Sequence, residues 1–172
     1  MSRSRADDVA VRQAEQADLL DVLRIERASF AQPWPFSALE RSLDAPAFLV
    51  AERDNEVIGY VVADTIPNHG RDIGHIKDLA IKFDERGNGL GTRLLRQALS
   101  AMAVEGAASV KLEVRTNNQG AKRLYRRFGF QARRRVTSYY SDGEDAVIMT
   151  LDLQEWLNSD EGTGTAVSDD AE

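Results

Sequence analysis

The chain has 172 residues, 42% of them hydrophobic and 29% charged, which suits one globular domain able to bury roughly 70% of its unfolded surface. It has no cysteine and only two histidines, His69 and His75, which excludes disulfides and thiolate catalysis and gives no basis for a metal site. A formal charge of -6 and no apolar run near the ~20 residues of a bilayer span point away from nucleic acid and membrane, and the basic start MSRSRADDVAVR lacks the apolar stretch of a signal peptide.

A cytoplasmic domain over residues 9–157 is therefore expected. Residues 1–8 form a short tail in this reading. Residues 158–172 (NSDEGTGTAVSDDAE) form an acidic tail, too poor in apolar side chains to order themselves.

Residues 9–12 predict a short strand, and 18–30 a helix with Leu19, Val22, Leu23 and Phe30 close to one face. The prolines of 32–36 (QPWPF) break that helix, and Ser37 with Glu40 has the spacing of a capping box for a second helix over 38–44. Residues 48–53 and 57–66 predict a hairpin across Asp54-Asn55, followed by a loop over 67–72.

Residues 73–83 predict a long strand that leads through 84–88 into a helix over 89–105. That helix repeats Leu90, Leu94, Leu95, Ala98, Leu99 and Met102 at helical spacing. A strand over 110–114, a helix over 119–128 closed at Gly129, and a hairpin of 131–140 with 146–153 complete the order. One mixed α/β sheet with helices on both faces is the economical architecture.

Chemistry enters at Arg86-Gly87-Asn88-Gly89-Leu90-Gly91, a glycine-rich turn between a strand and a helix. Such a turn lets backbone N–H groups approach a ligand closely, and the helix start favours an anion such as phosphate. Two phosphate-loop rivals fail on spacing. Gly91-Thr92-Arg93 stands where a Walker loop needs G-K-[ST], and Thr92 stands where a dinucleotide fingerprint needs its third glycine.

The spacing R-x-x-G-x-G of Arg86, Gly89 and Gly91 resembles the pyrophosphate loop of the GCN5-related N-acetyltransferase superfamily, which uses acetyl-coenzyme A. The preceding His75-Ile76-Lys77-Asp78-Leu79-Ala80-Ile81 and the downstream segments 112–118 (LEVRTNN) and 121–130 (AKRLYRRFGF) extend that likeness. Within the superfamily, L-E-V-R-x-x-N, A-x-x-L-Y at 121–125, Ser138-Tyr139-Tyr140 before Glu144-Asp145-Ala146, and FAQPWPF at 30–36 are similar to the RimI and Ard1 type protein N-terminal acetyltransferases. The likeness implies a mixed, mostly antiparallel sheet of about seven strands.

It also implies residue roles. Leu79, Ala80 and Ile81 would offer main-chain groups to the acetyl thioester and pantetheine arm. Gly87, Asn88, Gly89, Leu90, Gly91 and Thr92 would hold the pyrophosphate, Arg86 adding positive charge, and Asn118 would meet the arm further along. Glu113 matches the family's general base and Tyr125, twelve residues on, its general acid. Trp34, Tyr139 and Tyr140 would wall the site for a protein N-terminus, with a ribosomal protein among the candidate substrates.

Read as isolated residues, Glu113 is equally a charged face residue of a strand, Tyr125 a packed aromatic, Trp34 a plug between the first two helices, and His75 structural rather than catalytic. The arginines at 123, 126, 127 and 133–135 belong to a chain with 18 Arg against 4 Lys. They suit the 3′-phosphate of coenzyme A, an acidic substrate surface or a solvated face.

An α-amine, with a pKa of about 7.7–8.0, costs roughly 1 kcal/mol to neutralise at pH 7; a lysine, near 10.4, costs roughly 4.6 kcal/mol. One carboxylate base suits the smaller task. A lysine or small-molecule amine as acceptor, or a non-catalytic acyl-CoA-binding subunit, are the alternatives.

Overall fold

The computed structural model describes residues 8–159, so the expected tails, apart from Asp8, Asn158 and Ser159, lie outside the described residues. Seven strands and five helices follow in the order β1 Ala10–Gln13, α1 Leu19–Ser29, α2 Phe36–Arg41, β2 Leu49–Arg53, β3 Glu56–Ile66, β4 Ile73–Ile81, α3 Leu90–Val104, β5 Ser109–Arg115, α4 Gln119–Phe128, β6 Gln131–Val136, β7 Ala146–Asp152 and α5 Leu153–Leu157. The strands make one sheet ordered β1-β2-β3-β4-β5-β7-β6. All neighbours are antiparallel except β4 and β5, which are parallel. Helix α3 makes the crossover that a parallel pair requires.

Each face of the sheet carries its own core. Leu19, Val22 and Leu23 of α1 and Leu39 of α2 pack on Phe48, Val50, Tyr60 and Val62. Leu94, Leu95 and Leu99 of α3, Phe128 of α4 and Trp156 of α5 pack on the other face, against Val61, Ile76, Leu112 and Met149. Helices α1 and α2 cover β2 to β4 only, so on their side of the sheet Lys111, Glu113 and Arg115 of β5 stay partly open.

Four local expectations are corrected. Helix α2 begins at Phe36 with Pro35 as its cap and ends at Arg41, before a 3-10 turn at 42–44. Ser37 therefore lies inside its first turn and makes no capping bond, and Glu40 accepts from Gln16 Nε2 at 3.1 Å. Strand β4 stops at Ile81 because Phe83–Glu85 winds into a 3-10 turn.

Strand β6 stops at Val136 because Ser138 takes a φ of 51° and its N–H donates to Asp145 Oδ1 at 2.8 Å. The short helix α5 was not expected; it starts where Asp152 caps Glu155 N and it buries Leu153 and Trp156.

Two irregularities of β4 shape the centre of the molecule. Val62 pairs with Asp78 but Ala63 pairs with Ile76, so Lys77 is one extra residue in the strand. A bulge breaks the alternation of faces. Ile76 before it and Leu79 and Ile81 after it all pack toward α3, while Ala80 joins the core under α1. His75 and Asp78 thus share the face on which β5 presents Glu113.

The β4–β5 ladder, in turn, ends at Ile76 opposite Leu112 while both strands run on. Beyond that pair they diverge and leave a cleft through the sheet.

Candidate active site

A cavity of about 620 Å³ opens on the α1 side of the cleft, and a groove of about 960 Å³ opens on the α3–α4 side. They share Ser29, Phe30, Leu79, Asn118 and Ala121, so the cleft joins them into one passage. Their charges are opposite. The cavity is lined by Glu26, Asp78, Glu113, Asp142 and Glu144 against Lys77 and Arg115. Both of those cations are already paired, Lys77 with Asp64 at 2.7 Å and Arg115 with Asp142 at 2.8 Å and Glu144 at 3.0 Å. The groove has Arg86, Arg123, Arg126 and Arg127 against Glu85.

The groove contains the glycine loop. Gly87 and Gly89 take φ of 79° and 75°, a region that costs other residues roughly 1–2 kcal/mol. The first helical bond of α3 runs from Arg93 N to Gly89 O at 3.1 Å, so the amides of Leu90 and Gly91 precede the helical ladder. A Cβ on Gly91 would meet Leu124 Cδ2 at 3.3 Å, so α4 lies directly against this turn.

A pyrophosphate fits here because the donors are backbone groups. Leu90 and Thr92 bury their side chains, and the Thr92 hydroxyl accepts from Arg127 Nη2 at 3.0 Å. Asn88 Nδ2 donates to Glu85 O at 3.2 Å, steadying the turn. Arg86 reaches across the groove's edge, where its Nε donates to Ile81 O at 3.0 Å and its guanidinium lies over Phe83.

The three β4 residues expected to supply main-chain groups divide by parity. Lys82 N donates to Ile58 O at 2.8 Å, and Ala80 pairs with Tyr60 two residues along the same register. Ala80's groups therefore point to β3, while those of Leu79 and Ile81 point into the cleft. Asn118, at the cap of α4, accepts from Ala121 N at 3.1 Å at the junction of cavity and groove.

Glu113 and Tyr125 both line the cavity. Glu113 Oε2 lies 2.7 Å from His75 Nε2, with the two side chains 16% and 20% exposed. That hydrogen bond holds the Glu113 carboxyl below the usual carboxylate range despite partial burial, so it is ionised at neutral pH. The Tyr125 ring is buried against Phe130 at 5.6 Å, and its hydroxyl makes no hydrogen bond among the described residues. Burial, with Asp78 and Tyr140 adding repulsion, pushes that phenol well above its ordinary range, so it stays protonated.

The three wall residues separate. Trp34 and Tyr140 line the cavity, and Trp34 N donates to Glu26 Oε1 at 2.9 Å. Arg115 stacks on the Tyr140 ring at 4.0 Å. Tyr139, 48% exposed, stands outside the lining and packs edge-on against Tyr140 at 4.9 Å.

Sequence reasoning missed the cavity floor. Glu26 is 1% exposed, and the Tyr60 hydroxyl donates to Glu26 Oε2 and lies 3.3 Å from Asp78 Oδ2. Burial and the neighbouring Glu26 carboxylate push the Asp78 carboxyl well up. One signal was legible: Glu26 falls on the apolar stripe of α1, where an acid is out of place.

Residues 19–130 match the model of the acetyltransferase (GNAT) family. The chain belongs to that family. An N-alpha-acetyltransferase of Sulfolobus acidocaldarius is 35% identical over 83% of this chain and 92% of its own length. A putative [ribosomal protein bS18]-alanine N-acetyltransferase of Bacillus subtilis is 35% identical over 85% and 97%. The crystal structure of Ard1 from Thermoplasma volcanium superposes with a TM-score of 0.78 at 27% identity, over 84% of this chain and 97% of that one. The chain is thus an acetyltransferase of the GNAT fold, and among its described residues no helix is long and apolar enough to cross a membrane.

Proposed function

We propose that this enzyme transfers acetyl from acetyl-coenzyme A to the N-terminal α-amine of a protein, in a ternary complex without a covalent enzyme intermediate. The carrying observation is the polarity of the passage: an anion groove and an acidic cavity meet at Leu79 in the β4–β5 cleft. An anionic acyl donor belongs on one side and a cationic ammonium on the other. The names of the relatives from Sulfolobus acidocaldarius and Bacillus subtilis support the same acceptor class.

Acetyl-coenzyme A supplies an activated thioester. Main-chain groups of Leu79 and Ile81 face the cleft and would meet the thioester and the pantetheine arm. Leu79 N–H donates to Asp78 Oδ1 at 3.1 Å, so it would polarise the carbonyl by exchanging that acceptor for the carbonyl oxygen. Glu113, oriented by His75, takes a proton from the ammonium, and the freed amine attacks the carbonyl carbon. As the N–C bond forms and the C–S bond breaks, Tyr125 gives its hydroxyl proton to sulfur and recovers one from the nitrogen, which becomes the amide. Gly87, Asn88, Gly89, Leu90, Gly91 and Thr92 hold the pyrophosphate through main-chain groups, and Asn118 meets the arm where groove and cavity join. Trp34 and Tyr140 wall the amine's cavity. A ribosomal protein is one candidate substrate, and a cytoplasmic setting belongs to the same proposal.

The test is coenzyme A release with short peptides that carry free or blocked N-termini. Turnover is expected on free N-termini alone, falling roughly 100-fold or more in Glu113→Gln and in Tyr125→Phe. Turnover on blocked, lysine-containing peptides would move the enzyme to side-chain acetylation, and cofactor binding without any turnover would make it a binding subunit.

A further inference from the structure

Below the acceptor cavity, Glu26 and Tyr60 form a buried pair that the transfer chemistry leaves unused. Resting on the reading that the carbonyl of an acyl donor takes the Leu79 N–H, we infer that Tyr60 is a positioning residue. It links that amide to the Trp34 wall, so that a loaded cofactor tightens the hold on the acceptor chain.

The link is a continuous run of hydrogen bonds between the two halves of the site. At the acceptor end, Pro33 and Pro35 have no N–H, so the Trp34 amide is the one donor of that stretch, and it donates to Glu26 Oε1 at 2.9 Å. The other oxygen of Glu26 accepts from the Tyr60 hydroxyl, which lies 3.3 Å from Asp78 Oδ2. At the donor end, Asp78 Oδ1 accepts from Leu79 N at 3.1 Å. Glu26, Trp34, Asp78 and Leu79 all line the cavity, and Tyr60 is packed under α1. Inside the protein such bonds are stronger than in water, and an unmade one is costly.

Coupling between two sites needs an element with two arrangements. Asp78 is that element. One of its oxygens is held by the Leu79 amide, while the other stands from Tyr60 at a distance beyond the usual O–H···O range. Once the Leu79 N–H turns to a thioester carbonyl, Asp78 Oδ1 loses its donor and the carboxyl closes on Tyr60.

A hydroxyl can donate and accept at once, so Tyr60 takes up Asp78 while keeping Glu26. Bonds in a chain polarise one another, so Glu26 then holds the Trp34 amide, and with it the wall of the acceptor cavity, more firmly. Free coenzyme A has no acyl carbonyl and leaves Leu79 with Asp78. The device therefore distinguishes the loaded cofactor from the spent one.

The test is calorimetric titration of a short peptide that the full-length enzyme acetylates. It is titrated into enzyme saturated with coenzyme A or with carba-acetyl-coenzyme A. In that analogue a methylene replaces the sulfur, so the carbonyl is present and the acetyl group cannot leave. Wild type is expected to bind the peptide roughly ten-fold more tightly beside the analogue than beside coenzyme A, within the usual range of coupling between sites. Tyr60→Phe removes the hydroxyl, and Glu26→Gln leaves one acceptor oxygen for two donors. Each is expected to bring the ratio to about one.

Equal wild-type affinity beside the two cofactors, or weaker affinity beside the analogue, overturns the link and leaves transfer to the N-terminal amine standing. A ratio that survives in Tyr60→Phe overturns it too, because the acetyl group itself then holds the amine. A ratio lost in Tyr60→Phe and kept in Glu26→Gln overturns the path to Trp34. If Tyr60→Phe does not fold, Glu26→Gln decides alone by the same ratio. Failure of the enzyme to acetylate any peptide overturns the transfer reading, and the link with it.

Discussion

Asp78 shows how one residue's protonation is set by its neighbours. Its carboxyl faces Glu26 and the Tyr60 hydroxyl and accepts from Leu79 N at 3.1 Å. Because its folded pKa is raised, the folded state binds more protons than the unfolded chain from the ordinary carboxylate range up to that raised value. Stability must therefore fall as pH rises through that window.

Asp18 has the opposite sign. Arg12, in contact with its two oxygens at 2.7 and 2.8 Å, holds its pKa down. Its contribution is present above the ordinary aspartate value and is lost as pH falls through the folded one. The expected outcome is that Asp78→Asn melts higher than wild type at pH 7 and shows less decline between pH 4 and 8. Asp18→Asn, by contrast, melts lower at pH 7 and loses less on acidification. Thermal unfolding from about pH 4 to 8 checks the sign for Asp78 and unfolding below about pH 4 the sign for Asp18, and an Asp78→Asn variant with the wild-type slope would remove the account of a raised Asp78 carboxyl.

At the scale of elements, the start of α3 and the start of α4 use glycine for different reasons. Gly89 sits at the left-handed φ of 75° that turns the chain from the loop into α3, whereas Gly120 lies in the first turn of α4 with nothing within 4 Å of an added Cβ. Gly89→Ala is expected to cost roughly 1–2 kcal/mol of stability and to weaken coenzyme A binding by tilting the amides of the turn. Gly120→Ala is expected to gain roughly 0.5–1 kcal/mol, since alanine loses less backbone entropy in a helix. Denaturant unfolding of the two variants side by side separates conformational demand from simple sequence preference.

At the scale of the molecule, a charge of -6 is distributed so that the amine side of the passage carries the acids and the cofactor side the arginines. Such a field attracts cationic substrates over distances comparable with the Debye length, about 10 Å at 0.1 M salt. Peptides with lysine or arginine at their second to fourth positions are expected to show kcat/KM roughly ten-fold above matched peptides with aspartate or glutamate at low salt. The ratio should shrink toward one as salt rises. A ratio insensitive to salt would mean that direct contacts, and not the field, make the choice.

The sequence by itself determined the order of elements, the glycine turn at Arg86 to Gly91 and the presence of Glu113 and Tyr125, because helix and strand periods and glycine spacing are local properties. It also contained the resemblance from which family and cofactor were expected. Local signals failed where a neighbour in space made the decision: Pro35 displaced the cap expected of Ser37, Asp145 ended β6 early, and Trp156 ordered α5 by burial.

The site itself was decided by tertiary structure. A one-residue bulge at Lys77 turned His75 and Asp78 onto one face, and the divergence of β4 from β5 opened the cleft between groove and cavity. Glu26, Tyr60 and Asp78 are far apart in the chain, and so are His75 and Glu113. Their protonation depends on burial and distance, which exist only once the sheet has closed around them.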